Sequence, residues 1–263
     1  MATGYARYWA PVLAPSVAEL LDIAAPVVAD GQRIIDVGTG TGQLAIAALG
    51  RWPATSIVGI DASTGMLEVA GAEAGRQLPP DVARRFERVA AFADRLPFDD
   101  GSFDVALSSF VFQQVPNRAR ALREVRRVLR PGGTLAYVSW LDGGRAFLPD
   151  EIFDDVLDEV GIGAREIDGR PGDIPSVERA ANELRRAGFE GVAARAGRIG
   201  HRFTVDAYIE FLSAFDEETL FADFDPDERE RVIRRVRGRL TRLSAETMTM
   251  RYPTVFATGR RSR

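Results

Sequence analysis

The stretch Arg33-Ile34-Ile35-Asp36-Val37-Gly38-Thr39-Gly40-Thr41-Gly42 decides how the rest of the chain is read. Residues 34–37 read as a short buried strand, and three glycines crowd into the turn that follows it. Gly38, Gly40 and Gly42 permit positive φ and close backbone approach. Residues 43–49 open a helix whose free N–H groups point back at the turn, which makes a cofactor cradle. A dinucleotide turn has its third glycine three residues after the second, where this chain has Gln43. The alternate spacing departs from the pyrophosphate fingerprint.

Working outward, four further stretches follow in order: Val58-Gly59-Ile60-Asp61, Leu96-Pro97-Phe98, Gly101-Ser102-Phe103-Asp104-Val105 and Arg126-Arg127-Val128-Leu129-Arg130-Pro131-Gly132-Gly133. Together with the glycine turn, over residues 34–140, they resemble the class I S-adenosylmethionine-dependent methyltransferases. The most similar group is the set of small-molecule enzymes that includes those of ubiquinone and menaquinone biosynthesis. The resemblance implies an α/β, Rossmann-like, seven-stranded sheet with its last strand antiparallel and helices on both faces. It implies S-adenosyl-L-methionine as cofactor and methyl transfer to a small organic acceptor, through an O, N or C atom that the sequence leaves open. Residues 1–263 are expected to be a single domain, with helical lid insertions at about 141–175 and 203–243, because every recognisable motif lies before Leu141.

The same resemblance assigns the site. Asp36, Gly38, Thr39, Gly40 and Gly42 hold the cofactor at the turn, and Asp61 accepts the ribose hydroxyls, with Ala62 beside it and Met66 flanking the adenine. A carboxylate at a strand's carboxyl end can accept from two neighbouring hydroxyls, and capping the helix that follows is its competing role. At residue 92 the family pattern breaks, since Phe92 stands where an acid commonly receives the adenine amino group. Either Asp94 takes over by a loop shift, or Phe92 packs on the adenine and a backbone carbonyl accepts. Asp94 is preferred, because only a small displacement is needed. Ala93 can offer its backbone N–H to the ring. Ser109, leaving the fourth strand, faces the reacting end of the cofactor. Phe110, Gln113, Gln114 and Trp140 are the candidate substrate pocket, although both glutamines suit a solvated helix start equally well.

Composition bounds the alternatives. The chain has 263 residues, 46% hydrophobic and 27% charged, which is ordinary for a globular protein with a sizeable core. Its 34 basic against 38 acidic residues give a net charge of −4. That balance argues against a nucleic-acid or anionic-membrane binder. There is no lysine, which removes a lysine base or Schiff base, and no cysteine, which removes disulfides and thiolate chemistry. No signal peptide pattern opens the chain, and no apolar run is read as approaching the ~20 residues of a membrane span. A cytoplasmic protein is expected. No His, Asp and Glu cluster has metal-ligand spacing, so no metal is expected. His201, the single histidine, is the side chain to consider if the acceptor needs a general base, but between Gly200 and Arg202, just ahead of a lid segment, it is read as a surface or structural residue, and no catalytic residue is assigned.

The remaining elements follow from periodicity and punctuation. Ser16 is read as the cap of a helix ending near Ala25, with Tyr5 and Trp9 ahead of it either covering the cofactor or pinning the helix to the core. A helix over 118–129 is stopped by Pro131-Gly132-Gly133, which launches a strand over 134–140. Residues 177–187 form a helix, 189–195 a strand, and 247–259 the final antiparallel strand. The acidic run 216–230 reads as a solvated, helix-capping face, or as a selector for a cationic substrate. Val232, Ile233, Val236, Leu240 and Leu243 form a stripe destined for the lid's own core or for a homodimer contact. Two rival functions stand beside methyl transfer: a non-catalytic S-adenosylmethionine sensor or scaffold, and an NAD-dependent oxidoreductase, which Gln43 disfavours.

Overall fold

The computed structural model describes residues 2–143, 147–162 and 172–263. Strands β1 (Arg33–Val37), β2 (Ser56–Asp61), β3 (Phe86–Ala90), β4 (Phe103–Ser109), β5 (Leu129–Trp140), β6 (Phe189–Arg202) and β7 (Thr249–Arg261) form one sheet in the order β3-β2-β1-β4-β5-β7-β6. The first five run parallel, and β7 lies antiparallel between β5 and β6. The expected seven-stranded α/β sheet is therefore what forms. Alternation along β1 sends Ile34 and Ile35 to opposite faces. Ile34 joins a core with Val12, Leu49 and Trp140, and Ile35 joins a second core with Leu122, Tyr137 and Leu184. With both faces covered, the central strands are apolar almost throughout. The strand order reverses between β1 and β4, so their carboxyl ends border the crevice where open sheets of this kind take ligands.

The first helix begins earlier than Ser16. The chain is helical from Ala2 to Val27, including α1 (Ala10–Ala24), and Ser16 is a buried mid-helix residue rather than a cap. Pro11 lies in the first turn of α1, where its ring would press on the carbonyl four residues back. Tyr5–Trp9 relieve this by widening into a π turn in which the Ala10 N–H donates to the Tyr5 carbonyl. A second expectation changes with the first: this 26-residue helix is long and apolar enough, by length and composition, to cross a membrane. The helix runs through Pro11 and Pro15, residues that in sequence mark a break. Val12, Leu13, Val17, Leu20 and Leu21 of α1 are buried in the core.

Other boundaries moved for identifiable reasons. Helices α2 (Gln43–Arg51), α3 (Thr64–Gln77) and α4 (Arg118–Val128) follow β1, β2 and β4. Pro131-Gly132-Gly133 do not separate α4 from the next strand. β5 already begins at Leu129 opposite Phe103, and the register jumps to Thr134 opposite Val105. The Pro-Gly-Gly segment is thus a bulge within the strand, with Gly132 at φ 82°. β6 continues seven residues beyond Arg195. Because Trp140 pairs with Thr254 and Thr254 with Gly197, residues 198–202 and 249–253 form a ribbon projecting past the carboxyl end of β5.

Helix α5 (Leu148–Glu159) follows β5, and α6 (Val177–Arg186) precedes β6. The connection between β6 and β7 carries α7 (Val205–Phe211), a π turn at Leu212–Asp216, α8 (Glu218–Asp223) and α9 (Pro226–Leu240). α9 packs on both α5 and α7. Val232, Val236 and Leu240 are buried there, so the apolar stripe is used inside the chain. Within the acidic run, Asp225 and Glu228 form a reciprocal capping box at the start of α9.

Candidate active site

The glycine turn between β1 and α2 holds Gly38, Gly40 and Gly42 at φ 71°, 54° and 84°. A Cβ on Gly38 would come within 2.3 Å of the Val111 side chain, so the loop after β4 can lie on the turn only because residue 38 is glycine. A Cβ on Gly40 would meet nothing within 4 Å, which marks the open side of the turn. Beneath it Asp36 is 1% exposed. Its Oδ2 accepts from Thr39 Oγ1 at 2.7 Å, while its buried Oδ1 has no hydrogen-bond partner among the described residues. Burial, with a contribution from the charge of Asp61, pushes the Asp36 carboxyl up to about 7.

Asp61 joins two turns. Its Oδ2 accepts from the Gly40 N–H and its Oδ1 from the Ser63 N–H, both at 2.9 Å. Capping of α3 falls to Ser63, whose Oγ accepts from the Met66 N–H. Each carboxylate oxygen of Asp61 keeps a lone pair for a further donor. Ala62 beside it is exposed and Met66 is half-buried. Tyr5 comes to the same place: burial and the nearby Asp61 charge raise its phenol to about 12. Trp9 instead stacks on Phe211 and leans on Trp140, with ring centroids 5.7 and 6.3 Å apart. The Gln43 side chain donates to the Ala10 carbonyl, which ties α1 to the start of α2.

After β3, Phe92 is 66% exposed, so its ring is outside the core, and Ala93 and Asp94 are half-buried. The loop is held from α4. Glu124 accepts from the Leu96 N–H at 3.1 Å, and Arg127 donates to the carbonyls of Leu96 and Phe98 at 3.0 and 2.7 Å. Arg127 is itself fixed by Glu124 and Asp100. These two α4 residues explain why the Leu-Pro-Phe stretch and the Arg-Arg-Val-Leu stretch belong to one site. The sequence reading gives this helix no part in the site and misses both residues. An acid three residues before an arginine was the visible signal, but nothing local showed which loop they reach.

At the end of β4, Ser108 Oγ donates to the Val37 carbonyl at 2.8 Å, and half-buried Ser109 is the last strand residue. Phe110 follows at φ 56°, the one non-glycine residue with positive φ among those described. Its carbonyl accepts from the side-chain amides of Gln113 at 2.6 Å and Gln114 at 3.1 Å, and Gln113 Oε1 accepts from Ser139 Oγ at 2.7 Å. Both glutamines are therefore engaged in holding the loop. The Phe110 ring lies 4.3 Å from that of Trp140, which is 4% exposed and also meets Tyr252 edge-on. His201 sits on the edge strand β6 against Phe203. Four inter-strand steps, about 19 Å, separate that strand from β1. Burial lowers the His201 pKa.

Residues 35–137 match the family described as Methyltransferase domain. Malonyl-[acyl-carrier protein] O-methyltransferase of Geobacter sulfurreducens is 39% identical over 113 residues, which are 42% of this chain and 39% of that protein. Ubiquinone/menaquinone biosynthesis C-methyltransferase UbiE of Geobacter sp. (strain M21) is 39% identical over 112 residues, 41% of this chain and 45% of the relative. The matches thus span less than half the length of these relatives. Among solved structures, the [4+2]-cyclase SpnF superposes with a TM-score of 0.60 at 23% identity, over 94% of this chain and 81% of its own. The sequence match and the sheet order together identify residues 35–137 as a methyltransferase domain of the class I, S-adenosylmethionine-dependent type.

Proposed function

We propose that this chain transfers the methyl group of S-adenosyl-L-methionine to a small organic acceptor. The observation that carries the reading is the bond from Gly40 N–H to the Asp61 carboxylate across a turn that is open at Gly40. Positive-φ glycines and a helix N-terminus suit the polar methionine end of the cofactor, and the carboxylate offers lone pairs to a ribose. In this reading Asp36, Gly38, Thr39, Gly40 and Gly42 hold the methionine part and Asp61 the ribose. Ala62, Met66, Ala93 and either Asp94 or Phe92 attend the adenine. Ser109 faces the reacting end, and Phe110 and Trp140 wall the acceptor side.

When bound, the cofactor supplies a sulfonium methyl group. The chain's own task is to align the acceptor in line with it and to exclude water, which can supply several kcal/mol of the acceleration. The segments 141–175 and 203–243 act as the lid of a single domain and choose the acceptor; part of the first lies outside the described residues. The absence of cysteine supports a reducing, cytoplasmic setting. The relatives' names include both C- and O-methylation, so the atom methylated is a question for assay.

A fold shared with a [4+2]-cyclase does not by itself carry turnover. Calorimetry with S-adenosylhomocysteine and with NAD, followed by mass spectrometry of an acceptor library incubated with S-adenosylmethionine, tests the proposal. Binding of the homocysteine product, no binding of NAD and one added methyl group on an acceptor are expected. Tighter binding of NAD would overturn the cofactor reading, and cofactor binding with no turnover on any acceptor would favour the sensor alternative.

A further inference from the structure

Residues 2–9, the start of the first helix, stand apart from the sheet. None of them is buried, whereas α1, which continues them, buries Val12, Leu13, Val17 and Leu20 in the core. Their contacts fall on two elements instead. On one side residues 2–4 pack on α3, the helix whose cap Ser63 donates its N–H to Asp61. The Tyr5 phenol comes to the same carboxylate, and burial and the Asp61 charge raise it.

On the other side they meet α7 and the π turn after it. Gly4 lies so close to Phe215 that a Cβ would come within 3.0 Å of the ring. Tyr5 meets that ring edge-on and Tyr8 at a tilt of 30°, each with centroids 6.3 Å apart. Arg7 Nη2 and Tyr8 Oη both donate to Glu210 Oε1, at 2.7 and 2.8 Å, and Trp9 stacks on Phe211. α7 is tied in turn to α5 and β7 through Asp150, which accepts from Tyr208 Oη at 2.5 Å and Tyr252 Oη at 3.3 Å. A continuous line of contacts therefore joins the Asp61 end of the cofactor cradle to the acceptor-side lid.

Two π turns, Tyr5–Trp9 and Leu212–Asp216, face each other across this contact. The first, which relieves Pro11, also marks where the core-packed helix gives way to its unburied end, so it is the place about which that end can swing. The docked arrangement has little to hold it. The Arg7–Glu210 pair is 69% and 50% exposed and adds little, and a segment with few buried contacts opens readily. A ligand seated between Asp61 and Tyr5 gains contacts in the docked arrangement alone, and such differential binding shifts the balance toward it.

We propose that residues 2–9 are a strap that S-adenosylmethionine closes from the Tyr5 side and that, through Phe215 and Glu210, fastens the Leu212–Asp216 turn of the lid. The inference rests on the methyltransferase reading above. Cofactor binding then completes the acceptor wall, because Trp9 of the strap leans on Trp140 only when the strap is docked. The coupling is reciprocal: whatever loosens the strap from the lid weakens the cofactor by the same factor. Phe215 and Glu210 are positioning residues in this device, acting through residues 4–9.

The test is calorimetry and hydrogen exchange with S-adenosylhomocysteine on wild type, Phe215→Ala, Glu210→Ala and Arg239→Ala, the last removing a lid ion pair to Glu159 away from the strap. Phe215→Ala should bind the ligand about tenfold and Glu210→Ala about threefold more weakly, with Arg239→Ala within about twofold of wild type. Saturating ligand should slow exchange over residues 2–9 and 212–216 of wild type together. In Phe215→Ala, at equal saturation, it should no longer slow 212–216. A merely structural role for Phe215 would lower stability and leave that response in place. If Phe215→Ala does not fold, Glu210→Ala, an exposed position, decides by the same two readings. Wild-type affinity in both Phe215→Ala and Glu210→Ala, or a wild-type exchange response confined to residues 2–9, would overturn the proposal. Failure of wild type to bind S-adenosylhomocysteine would instead overturn the cofactor reading.

Discussion

The Gln113 side chain holds Phe110 in a left-handed backbone conformation: its amide donates to the Phe110 carbonyl at 2.6 Å while Phe110 sits at φ 56°. That conformation costs a residue with a Cβ about 1–2 kcal/mol, and a hydrogen bond returns about 0.5–1.5 kcal/mol. Gln114 donates to the same oxygen. Gln113→Ala and Gln114→Ala should each destabilise by about 1 kcal/mol, and the double variant should depart from additivity because the two amides share one acceptor. Urea unfolding of the four proteins measures this. Strictly additive losses would mean that the amides act independently.

Asp36 makes stability depend on pH. Burial raises its folded-state value to about 7 from the ordinary carboxylate value of 3.8, so between those limits the folded protein binds more protons than the unfolded one. Stability contributed by the protonated form is complete below about pH 4 and is lost as pH rises through about 7. Asp36→Asn should flatten that decline in thermal unfolding measured from acid to neutral pH. An unchanged slope would show that the Asp36 carboxyl titrates alike in the folded and unfolded protein.

Asp61→Ala removes the acceptor for the Gly40 and Ser63 N–H groups as well as the proposed ribose contact. Calorimetry with S-adenosylhomocysteine should show a loss of about 1.5–3 kcal/mol. A folded variant with unchanged affinity would remove Asp61 from the site.

The exposed ring of Phe92 and the half-buried Asp94 give opposite predictions for the adenine. If Asp94 takes the amino group, Asp94→Ala should weaken S-adenosylhomocysteine more than an analogue lacking that amino group. If Phe92 stacks, Phe92→Ala should weaken both ligands alike by about 1–3 kcal/mol. Asp94 is the expected reader, and equal losses for the two ligands in Asp94→Ala would reverse the assignment. Without ligand, Phe92→Ala should leave the protein's stability within about 0.5 kcal/mol, as befits an exposed side chain.

Arg127 should matter more to the loop than to the helix that carries it. Arg127→Ala leaves the carbonyls of Leu96 and Phe98 without its guanidinium, and hydrogen exchange over residues 91–99 should accelerate while β1 and β4 stay protected. Unaltered exchange in that loop would show that Glu124 alone suffices.

The glycine turn and Asp61 at the end of β2 were legible in the sequence because each depends on short-range rules, whereas the sheet was expected from the resemblance of five ordered stretches to a known family. Strand and helix periodicity, positive-φ glycines and a carboxylate at a strand end are local properties. The full length of the first helix was not legible, since Pro11 and Pro15 read as breaks until a π turn and burial on the sheet showed how they are absorbed. Nor was the Pro131-Gly132-Gly133 bulge, which exists only because β4 offers a partner on either side of it. Tertiary structure alone decided that Glu124 and Arg127 reach the loop after β3, that Gln113 turns inward to Phe110, and that Asp150, Tyr208 and Tyr252 meet. Tyr208 and Tyr252 lie 58 and 102 residues from Asp150, and no local pattern records a contact made by packing across such separations.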